Sequence, residues 1–294
     1  MPQTFSVFGQ VESDIKNKKY NAAMMKLSSM SVLYSKNLNF LNYLAATQKA
    51  LADAVGLIRT LKEIIKTAPQ VHTQLELMKV LYAEGSINEA LDIGMTLQDQ
   101  PLNGAENKKL THLLVRIFIE ENDFDGVQEV VEKYGDAAEG DDFLQWALGL
   151  ASLSSGDKNR ALAYFRNSLD LHSGNDQAWV SLALLHDEMG DRELALANIE
   201  KAIDINPLNQ SAVKLFATWQ QQSGSSVKMA LRRVQFYLTE HEFDEEISLC
   251  HIQLQSQLQS WKTVDFEINK LILNEPNNPN FQALKKNLGQ HLNL

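Results

Sequence analysis

Apolar and polar positions alternate along this chain with the helical period, and the pattern is clearest in residues 176–209. There Trp179, Leu182, Ala183 and His186 fall at i, i+3, i+4 and i+7, one face of a first helix. Gly190 follows, a residue free to take the positive φ that closes a helix, and Asp191 offers a side-chain cap to the next one. Ala195, Ile199 and Ala202 form the inner stripe of a second helix, which Pro207 ends. Small Ala183 and Ala195 mark where the two helices approach closely.

The same slots recur 34 residues upstream as Gln145, Leu148, Gly149, Ser152, Gly156, Ala161, Phe165, Ser168 and Ser173. A fixed period in this range indicates a stack of repeats. The frame extends over 4–37, 38–71, 71–104, 108–141, 142–175, 176–209, 210–243 and 245–278, interrupted by the insertion Ala105–Asn107. Several copies depart from it. Gly94 stands where an aromatic is expected, and Met229 and Arg233 fall in the Ala and aromatic slots of 210–243. Two prolines, Pro276 and Pro279, precede a final helix in 279–294. Its stripe is Phe281, Leu284, Leu288 and Leu292, and Lys285, Lys286, Asn287 and Gln290 form its polar face.

The order of bulky residue, Leu, small residue, turn Gly, Ala, aromatic or aliphatic, Ala and Pro resembles the tetratricopeptide repeat. The resemblance covers nearly the whole chain, strongest in 142–209 and weakest at both ends. It implies an all-α, right-handed α-solenoid of antiparallel helix pairs, about eight repeats and a C-terminal capping helix in a single domain. Helices of this length are marginal alone and persist by covering each other's apolar faces.

The resemblance also implies that positions 2, 5, 6 and 9 of each first helix line a partner-binding groove. That assigns to the groove Tyr43, Leu75, Lys79, Lys109, His112, Leu113, Arg116, Phe143, Trp146, Leu150, Val180 and Leu184. Phe143, Trp146 and Leu150 share one face at i, i+3 and i+7, and aromatic side chains in a groove are typical anchors. The other register, with Trp146 inside and Gln145 in water, stays open. Lys109, His112 and Arg116 form a basic stripe suited to acidic groups, or else a solvated face. Trp179 is read as core, and His186 as a packed core histidine. The Lys, Asn, Asn, Lys, Arg order with which co-chaperone members grip a carboxylate does not occur at these positions.

The 294 residues carry a net charge of −10, unevenly placed. Residues 1–70 hold nine basic and four acidic side chains, and the other 224 hold eighteen and thirty-three. Overall acidity argues against a nucleic-acid partner. The single cysteine, Cys250, rules out an internal disulfide and a Cys-based zinc site and fits a reducing compartment. The first residues show no secretory pattern. The longest uncharged stretch, 143–156, is too short to span a bilayer. No phosphate loop, nucleophile elbow, metal-ligand spacing or catalytic constellation is present, and no cofactor is implied.

These features lead to a non-enzymatic cytoplasmic adaptor that holds a peptide or helix segment of a partner protein, with an apolar anchor and an acidic flank. The competing expectation is a self-associating scaffold, with basic N-terminal repeats against acidic later ones. An enzyme needs a domain that the repeat frame has no room for.

Overall fold

The computed structural model describes residues 6–292, with side-chain surroundings from Phe8 to Gly289. Among them the chain is all helix, seventeen in number, with no strand. Helices pair in order: α1 (Ser6–Lys16) with α2 (Tyr20–Tyr34), α3 (Leu38–Ala50) with α4 (Ala54–Thr67), α5 (Val71–Ala83) with α6 (Ile87–Gln98), and α7 (Gly104–Glu120) with α8 (Phe124–Tyr134). After a 3₁₀ turn at Gly135–Gly140 come α9 (Asp142–Ser154) with α10 (Lys158–Leu171), α11 (Asp176–Glu188) with α12 (Arg192–Ile205), α13 (Gln210–Ser223) with α14 (Val227–Glu240), and α15 (Glu245–Gln257) with α16 (Trp261–Asn274). Helix α17 (Pro279–Leu292) is unpaired. The chain forms two compact units, Met1–Ala138 and Glu139–Leu294. In the first, α1 packs on α3 and α5 on α7. In the second, α9 packs on α11 and α13 on α15. First helices therefore neighbour first helices, which is the solenoid arrangement.

Local chemistry sets these boundaries. Asp53, Asp123, Asp157 and Asp191 begin α4, α8, α10 and α12, their Oδ1 atoms accepting the backbone N–H three residues on at 2.9–3.1 Å. Asn37, Asn103, Asp141, Asn175, Asn209 and Asp244 cap first helices in the same way. Between the helices of each pair one residue has positive φ: Gly85, Gly156, Gly190 and Gly224, but also Lys18, Ala52, Asn122 and Gln259. Half of these turns thus place a side chain in the left-handed region, which L-residues enter only at a cost.

The inner stripes are buried as their spacing requires. Ala183, Ala195, Ile199 and Ala202 are fully enclosed, and His186 is buried with its Nδ1 2.7 Å from the Asn198 amide nitrogen. Trp179 departs from the core expectation. It is half-buried, wedged against the apolar clusters on either side of α11, with its Nε1 donating to the Ser173 carbonyl at 2.9 Å. At Gly94 the missing aromatic is replaced by its neighbours. A Cβ there would lie 2.6 Å from Leu114 Cδ2 and 2.8 Å from Met78 Cε.

The 210–243 frame is one residue out in its second helix. Ala230 and Val234, not Met229 and Arg233, are enclosed. The cause is the turn: α14 begins three residues after Gly224, whereas α10 and α12 begin two residues after Gly156 and Gly190. One extra residue rotates every α14 side chain by about 100°, which carries Met229 outward.

Helix α17 closes the second unit. Phe281 and Leu288 are buried and Leu284 half-buried against Ile252, Val264, Ile268 and Leu271. The side chains of Leu292 and Gln290, expected on its apolar and polar faces, lie outside the described residues, as does Thr4 of the first repeat. Lys285 pairs with Asp265 on α16.

Candidate functional site

The sequence-predicted site residues fall into two sets, one in each unit. In the second unit, Phe143, Trp146 and Leu150 share the open side of α9. The Phe143 and Trp146 rings lie 5.8 Å apart, tilted by 42°. Trp146 is half-buried and donates its Nε1–H to Ser181 Oγ on α11 at 2.9 Å, and Ser181 in turn donates to the Gln177 carbonyl. Gln145, one residue earlier, is buried and accepts from Asn167 Nδ2 on α10. Of the two registers the sequence left open, the helix adopts the one with Gln145 inside and Trp146 on the open side. Leu150 and Trp146 also cover the cluster formed by Phe165, Ala178 and Leu182. Leu184 is 41% exposed on α11. Val180 is a correction: it is 5% exposed and joins the core with Val213 and Phe216 of α13, because the next first helix closes over it. Further along this face, Lys214 pairs with Glu246 at 2.7 Å. Cys250 is buried beside it, its thiol pushed up by that burial.

In the first unit the set is more polar. Tyr43 is half-buried and stacks at 5.9 Å on Phe8 of α1, which also meets Tyr34 edge-on. Leu75 is a second correction: at 8% exposure it belongs to the buried interior of this unit, not to the open face. Lys79 is exposed on α5. On α7 Lys109 and Arg116 are exposed and His112 and Leu113 half-buried. Acidic side chains share these first helices with the basic stripe. Lys49 holds Glu76 at 2.6 Å. The Tyr82 phenol donates to Glu120, and burial together with that carboxylate pushes its pKa up to about 12, against the opposing charge of Arg116. Phe8, Tyr82 and Glu120 escaped the sequence reading because they lie outside the four groove positions carried over, or in the most divergent repeat. Their local signal was the aromatic and charged character of a first helix.

Among the described residues no group of three or more His, Cys, Asp or Glu is placed to hold a metal ion. No described helix is long and apolar enough to cross a membrane. What both faces offer is side chains for contact: an aromatic pair fixed by a hydrogen bond in one unit, alternating cations and anions in the other.

The tetratricopeptide repeat family model matches residues 176–207. No curated protein matches the chain. Among solved structures the fold is similar to a tetratricopeptide repeat protein from Parabacteroides merdae, with 14% identity over 85% of this chain and 98% of that one and a TM-score of 0.60. It is also similar to a chain of the APC/C hetero-tetramer Cut9–Hcn1, at 13% identity over 97% and 56% with a TM-score of 0.59. A third is the C-terminal part of a tetratricopeptide repeat-containing protein from Cytophaga hutchinsonii, at 14% identity over 94% and 98% with a TM-score of 0.53.

Proposed function

We propose that this chain, an all-α protein of the tetratricopeptide-repeat fold, is a non-catalytic cytoplasmic adaptor whose first-helix faces hold a segment of a partner protein. Proteins of this fold generally mediate contacts with other proteins. The observation that carries the finer reading is Trp146. Its ring is half-buried, tilted against Phe143 and fixed by Ser181, so little rotamer freedom remains to be lost on binding. A large amphipathic side chain held this way is the kind of residue that dominates binding energy at interfaces. Leu150 and exposed Leu184 extend the apolar strip, which suits a helix or extended segment with bulky apolar anchors. On the first unit, taken by itself, the cations Lys79, Lys109 and Arg116 suit an acidic segment.

The test is capture from native lysate by the purified chain and by its Trp146→Ala form. A partner retained by the first and lost by the second supports the reading. Equal retention of every partner by both forms defeats it.

A second reading, self-association, is favoured by a separate observation. On α2, Met25, Val32 and Leu33 are 76–90% exposed beside Lys18, Lys19 and Lys36, and on α16 Phe266 and Leu273 are 66% and 82% exposed. Light scattering distinguishes the two readings: a mass above one chain supports self-association, and its loss as salt rises assigns the assembly to opposite charges rather than to these apolar side chains.

A further inference from the structure

The extra residue in the turn before α14 does more than displace a frame. It brings Met229, Arg232 and Phe236 to the second-helix side of the second unit, where with Pro207 and Arg233 they line a pocket of about 470 Å³. Met229 and Phe236 are 40% and 53% exposed, so the pocket offers a thioether and a ring. Arg233 is held by Asp204 at 2.6 Å. Arg232, one helical turn before Phe236 on the same face, is exposed and makes no ion pair among the described residues. The pocket lies between α14 and Pro207 in the loop after α12, and contains none of the first-helix residues assigned to the adaptor face.

Charge decides what such a pocket selects. Residues 139–294 carry twenty acidic and thirteen basic side chains, yet α14 holds Lys228, Arg232 and Arg233 against Glu240 alone. It is a basic island in an acidic unit. A guanidinium without a carboxylate partner takes a planar carboxylate through two parallel hydrogen bonds. A doubly charged phosphate is a poorer fit, because Arg233 is committed to Asp204 and Arg232 alone neutralises one negative charge, which a single carboxylate matches. An anionic membrane is repelled by the unit's net charge.

We propose that this pocket is a second protein-binding site, which accepts a short segment carrying a bulky apolar side chain next to an aspartate or glutamate. The apolar side chain enters between Met229 and Phe236 and the carboxylate meets Arg232. The proposal does not rest on the adaptor reading of the first-helix face.

The probe is a fluorescein-labelled nonapeptide library with Phe, Leu or Met fixed at the centre beside Asp or Glu, and a matched library with Asn or Gln in the acidic position. Binding is measured to the full chain and to its Arg232→Glu, Phe236→Ser and Trp146→Ala forms, each checked for unchanged helicity. Acidic peptides should bind at least tenfold more tightly than their amide partners. They should lose at least tenfold in Arg232→Glu and Phe236→Ser and keep their affinity in Trp146→Ala. No retained peptide, equal binding of acid and amide peptides, or unchanged binding by Arg232→Glu overturns the proposal. Peptides lost only in Trp146→Ala would place them on the first-helix face, ending this proposal while supporting the adaptor one. Sedimentation of the chain with phosphatidylserine vesicles, abolished by Arg232→Glu, would assign the pocket to a membrane and also overturn it.

Discussion

The Phe165 ring occupies the space a side chain on Gly149 would need. A Cβ at Gly149 would lie 2.3 Å from Phe165 Cε1 and 2.5 Å from its Cδ1. One period later the same two slots hold Ala183 and Ile199, both enclosed. The smaller aliphatic leaves room for the methyl group, so residue sizes at the helix crossing trade against each other. Gly149→Ala should therefore destabilise the second unit by about 1–3 kcal/mol through overpacking. Adding Phe165→Ile copies the neighbouring pair and should recover part of that loss. A double-mutant cycle by denaturant unfolding measures the coupling. Additive single effects would show that the ring moves aside freely.

Much of this fold was legible because its signals are local and repeated. The Asp191 cap, the positive φ of Gly190 and the Ala195–Ile199–Ala202 stripe each follow from one residue's chemistry at one spacing. The α14 frame was missed because Gly224 marks the end of α13 but not the length of the turn after it. Only packing distinguishes Ala230 from Met229 as the enclosed residue. Leu75 and Val180 were misplaced for a related reason. Carried-over groove positions say which way a Cβ points, whereas burial depends on how closely the next first helix approaches.

The turn residues make a paired prediction. Ala52 holds φ at 55° and Gly156 at 81°, each between the two helices of a pair. A Cβ in this region costs about 1–2 kcal/mol, partly offset by the greater unfolded-chain entropy of glycine. Ala52→Gly should raise stability by roughly 0.5–1 kcal/mol and Gly156→Ala should lower it by about 1 kcal/mol. Nothing lies within 4 Å of the added Cβ at Gly156, so the loss would report backbone strain alone. Chemical denaturation of both variants checks the signs.

Two buried histidines set an acid limit. Burial lowers the pKa of His186, whose ring faces the Asn198 amide, and of His251, whose Nδ1 lies 3.7 Å from Glu267. Asp191 and Glu267 oppose these shifts but do not reverse them. In the unfolded chain both rings titrate near about 6.5, so on acidification the unfolded state takes up protons first. Stability is then complete above that pH and falls below it, by at most about 1.4 kcal/mol per pH unit for each ring. His186→Gln with His251→Gln should flatten the melting temperature between about pH 6.5 and 5. An unchanged acid slope in the double variant would trace the loss to carboxylates instead.

Removing an aromatic should have opposite consequences on the open face and in the core. Phe216 is 1% exposed among Val180, Val213 and Val234, and Phe216→Ala should cost about 3–5 kcal/mol. Trp146→Ala gives up a hydrogen bond to Ser181 and partial packing, about 1–2 kcal/mol, yet should abolish partner capture. Thermal melts run beside the capture assay test the contrast. A Trp146→Ala melt depressed as far as that of Phe216→Ala would make the indole a core residue.

Helix α17 should behave as a cap for the helices before it. Any repeat in a stack presents an apolar face to the next, and the last such face must be covered by something polar outside. Phe281, Leu284 and Leu288 cover Ile252, Val264, Ile268 and Leu271, while Lys286 and Asn287 face solvent. Truncation after Asn278 uncovers those four side chains. The expected results are concentration-dependent aggregation and faster amide exchange in α15 and α16, with α9 to α12 unchanged. Phe281→Ala in the full chain should give a milder version, about 3–5 kcal/mol, without removing the helix. If the truncated chain stays monodisperse and exchange in α15 and α16 is unaltered, α17 is not a cap, and its apolar stripe contributes nothing to holding that end of the unit together.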